Sequence, residues 1–301
     1  MISYAQNFED VILARALSTV ERGFYVDIGA WSPHIDSVTK YFYDSGWRGV
    51  NVEPNPQAFA EFLSSRVEDI NRCIAISDEP GFSTLKILDN SGLSTLDESV
   101  AQTHGSSGIG YTEIQVECET LSQLFSSIEN ILEIHFLKVD VEGYESKVLS
   151  GNDWNRFRPW IVLIEATYPM TQIDTYFESE QILLQNDYLF VYEDGLNRFY
   201  LDRRHKDLLD LFRFPPNIFD GFIRQSEFSC QERLAIHEQS IENLKTELDN
   251  LQKLNEELNI KLQSEKNSSF VLQEVLQSNS WRWTLPLRKL SNLFKSLKRG
   301  R

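Results

Sequence analysis

This 301-residue chain has little cysteine, no long apolar run and no basic start at its N-terminus. Its three cysteines, Cys73, Cys118 and Cys230, lie far apart and fit neither a disulfide framework nor a zinc site, which favours a reducing cytoplasm. The longest apolar runs, such as residues 160–164, are much shorter than the roughly 20 residues of a bilayer span. The N-terminus lacks the basic and apolar segments of a secretory signal, so we expect a cytoplasmic protein.

Basic residues are scarce outside the C-terminal end of the chain. Asp and Glu number 45 against 29 Lys and Arg, which gives a formal net charge of -16 and excludes wholesale nucleic-acid binding. Hydrophobic residues make up 41% of the chain, enough for a real core. From Trp281 to Arg301 there are seven basic residues and no acidic residue. This tail predicts contact with an anionic membrane surface, with a protein partner or with the acidic body of the same chain.

Glycine and proline nearly disappear in the last quarter of the chain. All but one of the 14 glycines lie at or before Gly221, and Pro286 is the only proline between Phe222 and Arg299. Because turns need these residues, the shift in composition marks a domain boundary near residue 225. We predict a globular domain over 1–225, a coiled coil over 226–278 and a basic amphipathic tail over 279–301.

Strand and helix patterns alternate before that boundary. Such alternation predicts an α/β fold with a mainly parallel sheet, helices on both of its faces and an antiparallel edge strand from a closing hairpin. The predicted strands cover residues 24–28, 48–53, 70–76, 82–88, 111–118, 134–139, 160–165, 188–193 and 196–201. The predicted helices cover residues 36–45, 56–65, 120–130, 144–150 and 174–186.

Heptads replace this alternation after the boundary. They favour a coiled coil that joins two or three copies of the chain, and Asn255 at a core position would set register and strand number. The alternative is a single long helix that folds back on the globular domain. One frame holds Leu234, Ile241, Leu248, Asn255, Leu262 and Leu276, its partner frame holds Leu244, Leu251, Leu258 and Leu272, and His237, Glu265 and Ser269 interrupt the seam.

Acidic residues and glycine mark the ends of the predicted strands. Asp27 and Gly29 close the first strand, and Glu53 closes the second about two dozen residues later. An acid at that spacing can hold the two hydroxyls of an adenosine ribose, and the glycine lets backbone approach a ligand closely. In residues 137–145, alternation would project Lys138, Asp140 and Glu142 to one side, while Glu145 either joins them or charges the next helix.

Four sequence blocks occur in a specific order: 3–10 (SYAQNFED), 26–30 (VDIGA), 46–54 (GWRGVNVEP) and 137–145 (LKVDVEGYE). With 75–78 (AISD) and 120–121 (TL), they resemble the FkbM family of S-adenosylmethionine-dependent methyltransferases. The resemblance covers about residues 1–205 and implies a Rossmann-like class I methyltransferase sheet. Family members methylate hydroxyl oxygens, often of sugars, and many are encoded among genes for surface polysaccharide. The coiled coil and tail lie outside the family pattern.

The resemblance assigns cofactor residues position by position. Asp27, Gly29 and Ala30 would line the methionine side of S-adenosylmethionine, and Glu53 would hold its ribose. Ser77 and Asp78 would lie near the adenine. The remaining assignments concern the N-terminal segment, which would close over the cofactor through Gln6, Glu9 and Asp10.

Methyl transfer to a hydroxyl needs a base for the departing proton. Asp140 is the first candidate, Glu142 the second and His34 the third, since an ordinary histidine pKa of about 6.5 suits a base. Glu165 would contact substrate or cap the sheet edge, and His104 would lie on a lid or a solvated loop. The chemistry requires no metal, so we expect none, although clustered carboxylates could hold Mg²⁺.

The main hypothesis is therefore an O-methyltransferase that acts on a sugar or surface glycan, cytoplasmic or peripheral at the inner face of the membrane. One alternative is a coiled-coil scaffold of a glycan-assembly complex that keeps the methyltransferase fold only for binding, although the intact Asp27, Glu53 and Asp140 speak against it. Another is a nicotinamide oxidoreductase, which the missing three-glycine turn disfavours. Acceptor specificity is expected in loops 89–110 and 166–175.

Overall fold

The computed structural model describes residues 1–88, 94–97, 111–129, 133–168, 171 and 173–298. The chain divides into two compact units, Met1–Phe228 and Ser229–Arg301. The strands are β1 (Ile2–Ser3), β2 (Phe24–Ile28), β3 (Arg48–Val52), β4 (Ile70–Arg72), β5 (Ala75–Ile76), β6 (Gly81–Leu88), β7 (Ser94–Thr95), β8 (Tyr111–Glu119), β9 (Phe136–Val139), β10 (Ile161–Glu165), β11 (Tyr188–Glu193), β12 (Asn197–Asp202) and β13 (Ile223–Arg224). The helices are α1 (Glu9–Ala16), α2 (Lys40–Asp44), α3 (Pro56–Ser65), α4 (Leu121–Ser126), α5 (Glu145–Ser150), α6 (Phe177–Gln185), α7 (Gln225–Gln277), α8 (Asn279–Trp283) and α9 (Leu285–Lys298), with 3₁₀ segments at Arg203–Phe212 and Ile218–Asp220.

A seven-stranded sheet in the order β11-β12-β10-β9-β2-β3-β4 forms the centre of the first unit. Neighbouring strands are parallel except at β12, which runs antiparallel to both β10 and β11. The mixed α/β fold is thus confirmed, but the prediction of an antiparallel edge strand is wrong. The crossover through α6 places β11 at the edge of the sheet and leaves room for one strand between β11 and β10. The hairpin then brings β12 into that position. The antiparallel strand is therefore β12, and the edge strand β11 is parallel to β10.

The predicted strand 70–76 divides between two sheets. Its first half is β4, the edge of the large sheet, and its second half is β5, which starts a four-stranded sheet in the order β5-β8-β6-β7. The long antiparallel pair of β6 and β8 supplies most of this second sheet. The chain therefore changes sheets at Cys73 and Ile74, directly beside the carboxyl end of β3.

Both faces of the large sheet are buried, because successive strand side chains point in opposite directions. On β2, for example, Val26 and Ile28 belong to one apolar cluster and Tyr25 to another. Helices α4, α5 and α6 cover the first cluster, while α1, α2 and the 3₁₀ segment Arg203–Phe212 cover the second. The carboxyl ends of β2, β3 and β9 are held in place by this double layer and meet at one edge.

The second unit is almost entirely helical. Helix α7 continues without interruption for 53 residues, and none of them is buried. Pro286 is the second residue of α9, where the missing proline N–H costs no helical hydrogen bond. In the part of the chain that the structure describes, no helix is both long enough and apolar enough to cross a membrane.

Candidate active site

A cavity of about 220 Å³ lies where the loops after β2, β3 and β9 meet. Open α/β sheets bind ligands in this crevice at the carboxyl ends of their strands. Sequence-predicted site residues contribute from all three loops: Gly29 and Ala30 after β2, Glu53 after β3, and Asp140 and Glu142 after β9. The topology therefore brings together residues that are more than 110 positions apart in the chain.

Gly29 allows the loops after β2 and β9 to touch. Its φ is +78°, and a Cβ built on it would lie 1.7 Å from the carbonyl oxygen of Asp140. The amides of Gly29 and Ala30 both donate to the Val52 carbonyl oxygen, at 3.0 and 3.1 Å, and the Asp140 amide donates to Ile28 at 3.0 Å. The close approach expected for a ligand at Gly29 is therefore already made by protein backbone, which fixes the position of Asp140.

Replacing Gly29 with alanine should destabilise the domain strongly. The left-handed backbone costs an alanine about 1–2 kcal/mol, and the clash with Asp140 adds about 1–3 kcal/mol. We expect the midpoint of thermal unfolding to fall by about 5–15 °C. Gly46→Ala is the matched control, because Gly46 has a φ of +91° and no described atom within 4 Å of the place that a Cβ would take. Equal effects of the two substitutions would show that the contact with Asp140 does not matter.

Lys138 forms a buried charge network beneath the cavity. Its Nζ lies 3.3 Å from Asp27 Oδ1 and 3.1 Å from Asp140 Oδ2, and it donates to the Gly29 carbonyl oxygen at 3.3 Å. Burial lowers the pKa of Lys138, but the charges of Asp140 and Asp27 raise it by more than burial lowers it. The pKa therefore lies above its ordinary value, and the lysine is charged. Burial also raises the pKa of Asp27, which Lys138 opposes.

Asp27 is 1% exposed and accepts from Thr39 Oγ1 at 3.2 Å. It is not among the described residues that line the cavity. Its contact with the ligand site runs through Lys138, so Asp27 positions the network rather than forming the wall. The expected projection of Lys138 and Asp140 to one side is confirmed by their 3.1 Å contact.

Glu53 presents a buried carboxylate at the cavity wall. Its Oε2 accepts from the Trp31 amide at 2.8 Å, and its Oε1 accepts from the Asn55 amide at 2.8 Å. Burial raises its pKa to about 7, against the lowering effect of these two hydrogen bonds. Because a carboxylate oxygen can accept more than one hydrogen bond, each oxygen retains capacity for one more donor from a ligand.

The loop after β9 turns sharply at Glu142, whose φ is +55°. Glu145, at the start of α5, stabilises this turn because its Oε1 accepts from the amides of Val141 and Gly143 at 3.1 and 3.2 Å. Glu145 is itself buried. The sequence left Glu145 either to join the acidic site or to charge the next helix. Its place in the first turn of α5 fits the second role, and shaping the loop is a further role that the sequence did not indicate.

Asp140, Glu142 and Glu165 form an acidic cluster, in which one carboxylate oxygen of each lies within 4.8 Å of the others. The Oε2 atoms of Glu142 and Glu165 are buried and have no hydrogen-bond partner among the described residues. Burial raises the pKa of Glu142 to about 8, and the charges of Asp140 and Glu145 add to this. Burial, together with Asp140 and Glu142, raises the pKa of Glu165 to about 11. Such a cluster can retain protons at neutral pH or hold a divalent cation.

The N-terminal segment closes one side of the cavity. Gln6 and Glu9 line it, and Glu9 Oε1 accepts from Asn197 Nδ2 at 2.7 Å. Burial and the charge of Asp194 raise the pKa of Glu9 to about 8. Asp10 instead accepts from Ser3 Oγ and from the Tyr4 amide, both at 2.7 Å, and thereby fixes the path of the segment.

Three predicted site residues besides Asp27 do not line the described cavity, namely His34, Ser77 and Asp78. His34 is exposed, with its Nε2 2.9 Å from Ser65 Oγ, which removes the geometric reason to consider it as the base. Ser77 Oγ donates to Asp78 at 3.0 Å, and Asp78 pairs with Lys147 at 2.8 Å. His104, like most of loop 89–110, lies outside the described residues.

Sequence reasoning missed an apolar wall beside Glu53. It consists of Ile74, Ala75 and Ile76 at the change of sheets, with Leu85 and Leu96 from the second sheet. The first three directly precede Ser77, so the predicted position was close. No sequence pattern indicated that Leu85 and Leu96 line the cavity, because their position depends on how the second sheet packs.

A cavity at the carboxyl ends of a mainly parallel sheet, with an acid after the second strand, is typical of enzymes that bind an adenosine cofactor. The family model of the Methyltransferase FkbM domain matches residues 27–191, more than half of the chain. The chain belongs to the FkbM methyltransferase family, which confirms the resemblance seen in its sequence.

Among solved structures, the chain is similar to a methyltransferase FkbM from Methylobacillus flagellatus KT, with 12% sequence identity and a TM-score of 0.35. The match covers 62% of this chain and 47% of that chain, so this protein spans about half the length of its structural relative. No protein of curated function matches the chain.

Proposed function

We propose that the protein is an S-adenosylmethionine-dependent O-methyltransferase that acts on a hydroxyl of a sugar or surface glycan. The observation that carries the proposal is the presence, on one cavity, of a buried ribose-type acid, Glu53, and an acidic cluster around Asp140. Membership of the FkbM methyltransferase family supports the reaction class.

The residues of the cavity fit S-adenosylmethionine. Glu53 offers two oxygens with free acceptor capacity, which matches two ribose hydroxyls. The apolar residues 74–76 suit the flat adenine ring, and Gly29 and Ala30 line the part of the wall that would face the methionine part. When bound, this cofactor supplies an electrophilic methyl group and needs no metal to do so.

Asp140 is the residue we assign as the base. It lies on the cavity wall, and its side chain keeps 35% of its surface exposed, so an acceptor hydroxyl can reach it. Lys138 orients the carboxylate from below. Glu142 lies on the cavity wall, and because its pKa is raised to about 8 it retains its proton at neutral pH and donates a hydrogen bond to the acceptor. Glu165, whose pKa is raised to about 11, lies beside it in the acidic cluster. Asp140 then accepts the proton that leaves the hydroxyl as the oxygen attacks.

The charge of the cavity wall narrows the acceptor to uncharged hydroxyl compounds. On the described wall, a phosphate or uronate group would find no free positive charge, because Lys138 is already neutralised by Asp27 and Asp140. The acids on this wall are Glu9, Asp36, Glu53, Asp140 and Glu142, of which Glu9 and Glu142 retain protons near neutral pH because burial raises their pKa values to about 8.

Mass spectrometry of surface glycan tests the function directly. Glycan from cells that lack the protein is incubated with the purified chain and isotope-labelled S-adenosylmethionine, in the presence of EDTA. We expect labelled methyl ethers on neutral sugars. Cofactor binding without any transfer would favour the scaffold alternative, and transfer that EDTA abolishes and Mg²⁺ restores would assign the acidic cluster to a metal.

Cofactor affinity should rise with pH through neutrality. Ribose hydroxyls donate to Glu53, so they need its ionised form, whereas its raised pKa of about 7 leaves much of it protonated below pH 7. From pH 8 to pH 6 we expect the affinity to fall about tenfold, because the ionised fraction of a carboxyl group with a pKa of about 7 falls by about that factor over this range. Calorimetry over this range measures the change. Glu53→Gln should bind weakly without this pH dependence, and an equal slope in that variant would point to another group.

We also propose that the tail attaches the protein to an anionic membrane surface. Trp283 and Leu287 are 83% and 69% exposed, and Arg282, Lys289 and Lys295 supply positive charge. Tryptophan favours the membrane interface, and each basic residue near an anionic bilayer contributes about 1 kcal/mol.

Truncation after Asn279 should abolish this attachment while the chain stays catalytic and oligomeric. The reason is that the removed segment holds the tail's aromatic and basic residues but neither the heptads nor the cavity. Co-sedimentation with anionic vesicles at low salt measures the loss, and neutral vesicles serve as the control. If the full-length chain ignores anionic vesicles, a protein partner takes the place of the membrane.

A further inference from the structure

Helix α7 carries an apolar stripe that its own unit does not cover. Seven aliphatic residues recur at steps of three, four or seven, so they lie along one side of the helix. From Leu234 to Leu262 the stripe spans about four heptads, long enough for a stable helix pair. Each of its members is half or more exposed: Leu234, Ile241, Leu244, Leu248, Leu251, Leu258 and Leu262.

We propose that α7 pairs with α7 of a second copy of this chain, with the two helices parallel and in register. The heptad frame places Ile241 and Asn255 at a positions and Leu244 at a d position. A parallel pair packs a against a and d against d, whereas an antiparallel pair packs a against d. The polar residues of the seam decide between these two arrangements.

Asn255 and the flanking charges favour the parallel arrangement. In register, the amide of Asn255 faces the amide of Asn255 in the second copy, and each can donate to the other. In an antiparallel pair that preserves the seam, Asn255 faces a d position, which is either His237 or one of the leucines. An amide opposite leucine loses its hydrogen bonds to water without replacement, and the register with His237 brings Arg233 beside Lys261, which repel, so both antiparallel pairings are disfavoured.

The flanking charges agree with this register at one end of the helix. Arg233 occupies a g position and Glu238 the following e position, which are neighbours across a parallel pair and carry opposite charges. At the other end the corresponding residues are Lys261 and Lys266, which repel. We therefore expect the pair to be tightest in its N-terminal half.

Cys230 provides a direct reporter of this geometry. It is an exposed free thiol at the d position four residues before Leu234. In the parallel pair the two Cys230 side chains face each other across the seam. In an antiparallel pair centred on the leucines, the two thiols lie about 50–60 Å apart, at about 1.5 Å per residue.

Oxidation by diamide, which accepts the two hydrogens of a thiol pair, tests the proposal. The full-length chain carries Cys73→Ser, because Cys73 is exposed whereas Cys118 is buried. We expect most of the protein to form a disulfide-linked dimer on a non-reducing gel, and Cys230→Ser to abolish it. The matched control is Gln239→Cys in the Cys230→Ser background, whose thiol lies on the outer face and should not cross-link.

Light scattering under reducing conditions gives the number of copies. We expect twice the chain mass of 35.0 kDa. A monomer or a trimer would overturn the proposal, and so would a dimer in which Cys230 does not cross-link. Asn255→Leu should remove the register signal and give a mass above that of the dimer or a mixture of species. An unchanged mass and an unchanged Cys230 cross-link in that variant would show that Asn255 does not select the arrangement.

Discussion

Asp140→Asn should lower turnover by about 10²–10⁴ while the chain stays folded and binds S-adenosylmethionine. The amide keeps the shape of the carboxylate, and its oxygen can still accept from Lys138, which lies 3.1 Å from Asp140 Oδ2. It cannot take up the proton that leaves the acceptor hydroxyl. Turnover is measured with labelled cofactor, and calorimetry and circular dichroism follow cofactor binding and the fold.

Asp44→Asn is the control for a lost carboxylate, because Asp44 is an exposed acid outside the described cavity wall that pairs with Lys40 and hydrogen-bonds with Tyr4. We expect that variant to retain its activity. Near-normal turnover in Asp140→Asn would transfer the role of base to Glu142, the other candidate on the cavity wall. His34 does not line the described wall, and its ring contacts Ser65.

Glu53→Ala should weaken S-adenosylmethionine binding at least about tenfold. It removes the acceptor for two ribose hydroxyls, and a hydrogen bond to a charged group is worth about 1.5–3 kcal/mol. It also leaves the amides of Trp31 and Asn55 without their acceptor, so thermal unfolding must be followed beside the calorimetric titration.

The matched variant is Glu61→Ala, because Glu61 is an exposed acid on α3 outside the cavity. We expect it to bind the cofactor as the unaltered chain does. If a folded Glu53→Ala protein also binds normally, the ribose lies elsewhere and the placement of the cofactor between β2 and β3 is wrong.

Much of the fold was predictable because its local signals are strong. The short buried strand 24–28, the helix 56–65 that starts at a proline, and the heptads after residue 230 each carry a pattern of their own. No local sequence pattern indicated that residues 70–76 divide between two sheets or that β12 lies between β10 and β11. Both depend on which strand fills a gap in a sheet, and that choice is made by packing between distant segments.

The site shows the same division between local and distant information. Glu53 and Asp140 were predictable because acids that follow buried parallel strands must meet at one edge. The position of Glu165 at the end of a strand was predictable, but its closeness to Asp140 and Glu142 was not, because it depends on the pairing of β9 with β10. His34 was misleading because a position just after a strand does not specify which way the loop turns.

Calorimetric titration of the full-length chain with S-adenosylmethionine, and separately with NAD, tests the central claim most directly. We expect S-adenosylmethionine to saturate one site per chain, and S-adenosylhomocysteine to compete for it because it keeps the ribose and adenine. We expect no saturable heat with NAD, since the turn after β2 lacks the three glycines of a dinucleotide site. Saturable binding of NAD in the absence of any binding of S-adenosylmethionine would contradict the assignment of this cavity.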